Sequence, residues 1–209
     1  MDLDLTDFEA DLSLQPENKS ITDEQLLMEV KKIYAGLVLV EAKCIDLDTN
    51  NGAKSPKLTM EQWGALIALR KTLLHEHIDF FWTSKHPTAG AALSELPIEY
   101  DMAKRMWRHG IYGFLEFMRH KLPDSLDYML QFIHFSYSML SLLYETVPNL
   151  KDAWIVCLGD LGRYRMAIEH DNFRDRELWS SVARYWYSKA VDRLPKVCKD
   201  SGLGTTILT

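Results

Sequence analysis

An arginine, a tyrosine and a carboxylate sit within one turn of each other in Leu158-Gly159-Asp160-Leu161-Gly162-Arg163-Tyr164-Arg165. On a helix Asp160 lies one turn before Arg163 and Tyr164, so its carboxylate can position either side chain. Guanidinium groups suit phosphate because they donate in a bidentate, charge-assisted fork. A second basic stretch, Lys104, Arg105, Arg108, Arg119 and Lys121, contains Glu116 as its only acid. One reading of it is a solvated helix face. The other is that Arg108 and Arg119 face Arg163 across a concave surface and bind phosphate, on a peptide or on a nucleic-acid backbone. Phosphate contacts alone give salt-sensitive binding with little sequence preference. A further basic group, Arg174, Arg176 and Arg184, is diluted by Asp171, Asp175 and Glu177.

Other chemistry finds little support. His75, Glu76, His77 and Asp79 suggest a metal, but on a helix residues i and i+2 point apart and the H-E-x-x-H spacing is absent. His75 and Asp79 share a face, and two ligands are too few; the cluster reads as solvated helix surface, with no metal. His109, His120 and His134 have no placed nucleophile or carboxylate partner. There is no G-x-S-x-G, no G-x-x-x-x-G-K-[ST] and no G-x-G-x-x-G. Neither an enzyme nor a cofactor is expected.

The elements that must position these residues are helical. The 209 residues suffice for one large domain, and 10 Gly and 7 Pro are few for a loop-rich β architecture. The 24 basic and 30 acidic residues are unevenly spread. Residues 1–24 hold eight acids against Lys19 alone, which leaves 22 acids against 23 bases in the remainder, and a strongly basic nucleic-acid binder is not what this balance shows. Residues 1–21 are acidic and aperiodic and read as a disordered tail. A first helix starts at a Thr22 cap with Gln25 as in a capping box and runs to about Ile45. The linker DTNNGAKSPK (48–57) follows.

A second helix opens with Thr59 and Glu61 and reaches about Trp82, and Pro87 and Pro97 bracket a loop. A third spans roughly Ile98 to Lys121, and a fourth runs from Pro123 to near Pro148. Asn149 caps a fifth that reaches about Glu169. A charged loop (171–177) leads into a sixth, from about Glu177 to Arg193. No segment alternates at period two for long, so the fold class is all-α, six helices joined as antiparallel neighbours. Helices four and six are apolar around much of their circumference, which predicts burial between neighbours. The start lacks a secretory pattern and no apolar run approaches the roughly 20 residues of a spanning helix. Three cysteines (Cys44, Cys157, Cys198) have no pairing or metal spacing. A soluble intracellular protein without membrane contact is expected.

Two interior glycines at i and i+3, Gly159 and Gly162, cost a helix about 1 kcal/mol each and leave a flat strip for a close neighbour. Ala183-x3-Tyr187-x2-Ala190-x4-Pro195 has the second-helix spacing of a tetratricopeptide repeat. Together, LGDLGRYR and the following WSSVARYWYSKAVDRLP resemble the telomerase-activating Est and Smg family, specifically its DNA/RNA-binding domain in the form found in fungal proteins. EVKKIYAGLVLVEAKC, LTMEQWGALIALRKTLLHEHIDFF and MWRHGIYGFLEFMRHKLP are similar to its N-terminal helices, so the resemblance spans about residues 26–195. It implies a 14-3-3-like helical array over 22–195 that leads into tetratricopeptide-like repeats at about 149. Residues 196–209 would be an irregular tail, the repeat array stopping mid-unit, and helix six would expose part of Tyr185, Trp186 and Tyr187.

The resemblance also implies a site. In 14-3-3-like domains a phosphate is held by a basic pair seven residues apart on one helix and by the Arg-Tyr of G-D-x-x-R-Y. The latter falls on Gly159, Asp160, Arg163 and Tyr164, with Asp160 as the positioning carboxylate. The former falls on Tyr112 and Arg119, so a tyrosine stands where a first basic residue belongs. Tyr112 donates one hydrogen bond and supplies no charge. Arg108 compensates in part, since 108, 112, 115 and 119 share a helical face. Phosphate affinity weaker than that of a fully basic pocket is expected. The implied function is a non-enzymatic scaffold in the nucleus, the cytoplasm or both. It would bind a phosphorylated RNA-surveillance factor in nonsense-mediated mRNA decay. The alternative is a telomerase or telomere accessory protein that contacts RNA or single-stranded telomeric DNA.

Overall fold

A computed structural model describes residues 21–50 and 57–193. The elements are α1 (Asp23–Asn50), α2 (Met60–Ser84), α3 (Ala91–Glu99), α4 (Met102–Arg105), a π-helical segment (Met106–Tyr112), α5 (Gly113–Arg119), α6 (Leu126–Thr146), a 3₁₀ turn (Pro148–Leu150), α7 (Lys151–Ile168) and α8 (Phe173–Arg193). Among the described residues every regular element is helical. The acidic tail, most of the 48–57 linker and everything after Arg193 lie outside the described residues.

Local chemistry starts the first two long helices where the sequence places them. The Thr22 amide donates to Gln25 Oε1 at 3.0 Å and the Gln25 amide donates back to Thr22 Oγ1 at 3.3 Å. Thr59 makes the same reciprocal box with Gln62 at the start of α2. Other boundaries differ. The first helix does not stop at Ile45; it continues to Asn50, because Asp48 reaches the buried Arg70. The segment between Pro87 and Pro97 is not all loop: α3 fills its second half and includes Pro97. The span from Ile98 to Lys121 is not one α-helix. Asp101 adopts a left-handed conformation (φ 50°) and separates α3 from α4. The fourth helix begins at Leu126 rather than Pro123. The fifth begins at Lys151 without a side-chain cap, Asn149 lying in the 3₁₀ turn. The sixth begins earlier than Glu177, at Phe173, where Asn172 Oδ1 accepts from the amides of Arg174 and Asp175.

The helices stack in chain order, α1 on α2, α2 on the π-helical segment and α6, α6 on α7, and α7 on α8. Their shared core includes Leu37, Leu73, Phe81, Met106, Phe114, Phe132, Leu143 and Trp154. One buried cation organises the middle of it. Arg70 donates to the carbonyl of Cys44 at 3.2 Å, pairs with Asp48 and donates to the carbonyl of His109 inside the π-helical segment. A π turn displaces carbonyls from their ordinary partners, and this guanidinium takes one of them. The same guanidinium lies 5.1 Å from the centre of the Phe114 ring. Burial pushes the Asp48 carboxyl above its ordinary range, against the pull of Arg70. A Cβ on Gly110 would lie 2.8 Å from Leu74 Cδ2, so a larger residue there would have to displace that buried side chain.

The two apolar helices behave differently. α6 buries Met129, Phe132, Ile133, Leu140 and Leu143 between its neighbours, as expected. α8 buries only Ala183 and Trp186, and Phe173, Leu178, Tyr185 and Val191 are each more than half exposed. Trp186 is not part of the exposed set: its indole N–H donates to the Tyr137 hydroxyl at 2.8 Å.

Candidate functional site

The site is built where the 106–119 segment meets α7. Gly159 and Gly162 let α8 approach the far side of α7 closely. A Cβ on Gly159 would lie 2.9 Å from Tyr187 Cε1, and one on Gly162 would lie 3.1 Å from the Ala183 amide nitrogen. The small-residue strip and the Ala183/Tyr187 pair therefore fit one another as their spacing suggests. With α7 fixed from behind, Asp160, Arg163 and Tyr164 turn towards the π-helical segment. They line a cavity of about 430 Å³ together with Trp107, Tyr112, Met166 and Ala167.

Four of the six expected site residues thus share one concavity: Tyr112, Asp160, Arg163 and Tyr164. Arg119 reaches it through an intermediary, and Arg108 is exposed and lines no part of it. The intermediary is Glu116. Arg119 donates to it through Nε at 3.2 Å and 3.1 Å and through Nη2 at 2.7 Å. The Tyr164 hydroxyl donates to Glu116 Oε1 at 2.6 Å. The Arg119 fork, followed by the Tyr164 hydroxyl, holds the Glu116 carboxyl below the usual carboxylate range. Burial and the same carboxylate push the Tyr164 phenol upward.

Of the two side chains one turn away, Asp160 pairs with Arg163, while Tyr164 turns to Glu116. Asp160 also accepts from the Tyr187 hydroxyl, and its carboxylate lies 3.8 Å from Arg163 Nη1. Burial, with Asp160 beside it, pushes the Tyr187 phenol up to about 12. One detail of the expected geometry needs correction: 108, 112, 115 and 119 do not share a face. Leu115 is fully buried, whereas Tyr112 and Arg119 are exposed. The solvent-reaching row after the π turn is 112, 116 and 119, with Glu116 half-buried between two exposed residues, the i, i+4, i+7 series of an ordinary helix. Glu116 is therefore the site residue that the sequence reading passes over, although its offsets from Tyr112 and Arg119 already place it between them. Trp107 and Met166, which carry no charge, had no such signal.

The remaining basic residues are dispersed. Arg105 points the other way, into a pair with the buried Glu41 and to the Tyr34 hydroxyl at 3.2 Å, where it ties α4 to α1. Arg163 also borders a second, shallower groove of about 600 Å³ between α7 and α8, shared with Ser180, Arg184 and Tyr187. The histidine cluster splits. His75 is exposed, but His77 is not solvated surface: it is fully buried, with Nδ1 2.8 Å from the Leu73 carbonyl oxygen.

No family model matches the chain and no solved structure matches it. Among known proteins it is 22% identical over 190 residues to EST/SMG-like protein 2 of Saccharomyces cerevisiae. The match covers 86% of this chain and 15% of that protein, so the chain spans a small part of its relative's length. This distant similarity supports an Est/Smg-like relationship. No described helix is long and apolar enough to cross a membrane.

Proposed function

We propose that this chain is a non-enzymatic adaptor of the Est/Smg type, acting in the nucleus or the cytoplasm. It corresponds to the family's DNA/RNA-binding domain, a 14-3-3-like array running into tetratricopeptide-like helices. In this reading its groove takes a phosphorylated segment of a protein partner in RNA surveillance. The observation that carries the reading is the convergence of Arg163, Tyr164 and Tyr112 on one cavity, with Arg119 linked to Tyr164 through a single carboxylate. A guanidinium and two phenols present directional donors to a tetrahedral anion. The near-neutral charge of the body supports a protein ligand over a nucleic-acid backbone, which needs a basic surface.

One feature supports the alternative of a telomere-associated nucleic-acid binder. Trp107 and Tyr112 line the same cavity as Arg163, and aromatic rings beside a guanidinium are what base stacking uses. Fluorescence anisotropy separates the two. A phosphoserine peptide, its unphosphorylated twin and a short single-stranded oligonucleotide are titrated at two salt concentrations, each with the native chain and with Arg163→Glu. The adaptor reading expects preference for the phosphopeptide, lost in the variant. Oligonucleotide binding with a steep salt slope and no phosphopeptide preference would replace it with the nucleic-acid reading.

A further inference from the structure

Glu116 already takes donors that an anionic ligand at this groove would need. Its two oxygens are held by the Arg119 fork and by the Tyr164 hydroxyl, the same donors that a phosphate would use. Across the cavity Asp160 lies beside Arg163. Arg163 in the groove and Arg119 at its edge thus each meet a carboxylate already, and Arg108, which has no carboxylate partner among the described residues, stands outside the cavity. Resting on the adaptor reading above, we infer that Glu116 is an intramolecular competitor that sets the affinity threshold of the groove.

The physical argument is one of tethered competition. A carboxylate fixed to the same helix as Arg119 competes at an effective concentration on the order of millimolar or above. Every anion that needs Arg119 and Tyr164 must first displace it, so every such affinity falls by a common factor. A phosphodiester or an aspartate side chain offers one charge, no more than Glu116 already supplies. A phosphomonoester carries roughly −1.5 to −2 charges and three acceptor oxygens, more than a single carboxylate can offer the same donors. The common factor therefore leaves the phosphomonoester bound and takes the weaker anions below useful affinity. The released Glu116 side chain has solvent within reach, since it is only part-buried.

A rival account makes Glu116 a strut that holds Arg119 and Tyr164 in place for the ligand. The two predict opposite signs. In Glu116→Gln the amide keeps the size of the side chain and an acceptor for Tyr164 but loses the charge. Isothermal titration with inorganic phosphate and with the phosphoserine peptide should then show binding about tenfold tighter than in the native chain. A peptide carrying aspartate in place of phosphoserine should become measurable. Glu116→Asp, which keeps the charge and withdraws it by one methylene, should give a smaller gain, and it serves if Glu116→Gln does not fold. Unchanged or weaker phosphopeptide binding in both variants, with native binding intact, would overturn the inference and leave the adaptor reading standing. No binding of either probe by native chain or variants would overturn the adaptor reading, and the competitor with it.

Discussion

His77 is the residue at which burial makes the clearest thermodynamic demand. Its ring is fully enclosed, Nδ1 is spent on the Leu73 carbonyl, and Nε2 has no partner among the described residues. Burial lowers its pKa from 6.5 to about 4, so the native ring stays neutral where the unfolded one takes a proton. A histidine with a depressed native pKa makes the unfolded state the better proton binder between the two values. Stability should therefore fall as pH drops from about 6.5 towards 4 and lose nothing further from this group below that. Between pH 7.5 and 5 the loss should be about 2 kcal/mol. Urea unfolding of native chain and His77→Gln at the two pH values checks this. The carboxylates act in both proteins, so the difference in pH dependence isolates His77. Equal pH dependence would mean that the ring is protonated in the fold. The sequence places His77 in a polar-looking HEHID run, and nothing local distinguishes it from His75; only the neighbouring helices decide which of the two is enclosed.

At the scale of elements, the glycines of α2 and α7 have the same intrinsic cost and opposite surroundings. A methyl group on Gly64 meets nothing within 4 Å, so Gly64→Ala should stabilise by about 0.5–1 kcal/mol through helix propensity alone. A methyl group on Gly162 meets the backbone nitrogen and Cα of Ala183 at 3.1 Å and 3.2 Å, atoms that move only if α8 moves. Gly162→Ala should therefore destabilise by about 1–2 kcal/mol net, the overpacking outweighing the propensity gain. Thermal unfolding of the pair decides it, and stabilisation by both would show that α8 yields to the added methyl at no net cost. This contact was legible in the sequence because small residues at i, i+3 and the Ala-x3-Tyr spacing are local patterns with a single packing use. The Thr22 and Thr59 caps were legible for the same reason. The π-helical segment was not. It depends on Arg70 and Asp48, which stand far from His109 in the chain, and on Leu74 against Gly110, so no window of the 106–112 sequence contains its cause.

The order in which the helices stack determines how the molecule should come apart. The inner long helices are covered on more than one side, α2 by α1, the π-helical segment and α6, and α7 by both α6 and α8. α8 rests chiefly on α7. Its ties to α6 are few: the Trp186 to Tyr137 hydrogen bond, the edge contact of Trp186 with Tyr144 at 5.4 Å, that of Trp179 with Tyr137 at 5.7 Å, and Lys189 lying 4.8 Å from the Tyr144 ring centre. In a linear array, stability is close to a sum of nearest-neighbour terms, so an element with one main neighbour opens at a lower free energy than one with two. Native-state hydrogen exchange should accordingly show the amides of α8 exchanging through a local opening. Their protection should fall at least about tenfold below that of α2, α6 and α7, a gap of about 1.4 kcal/mol. Trp186→Phe, which removes the bond to Tyr137 and keeps most of the ring, should widen that gap while leaving α2 unchanged. Because α8 holds α7 through Ala183 and Tyr187, and α7 presents Arg163 and Tyr164, opening of α8 should also loosen the groove, and occupation of the groove should slow exchange in α8. Equal protection across α2, α7 and α8 would instead mean that the described helices unfold as one cooperative block, with the outer helix no more than an extension of the core.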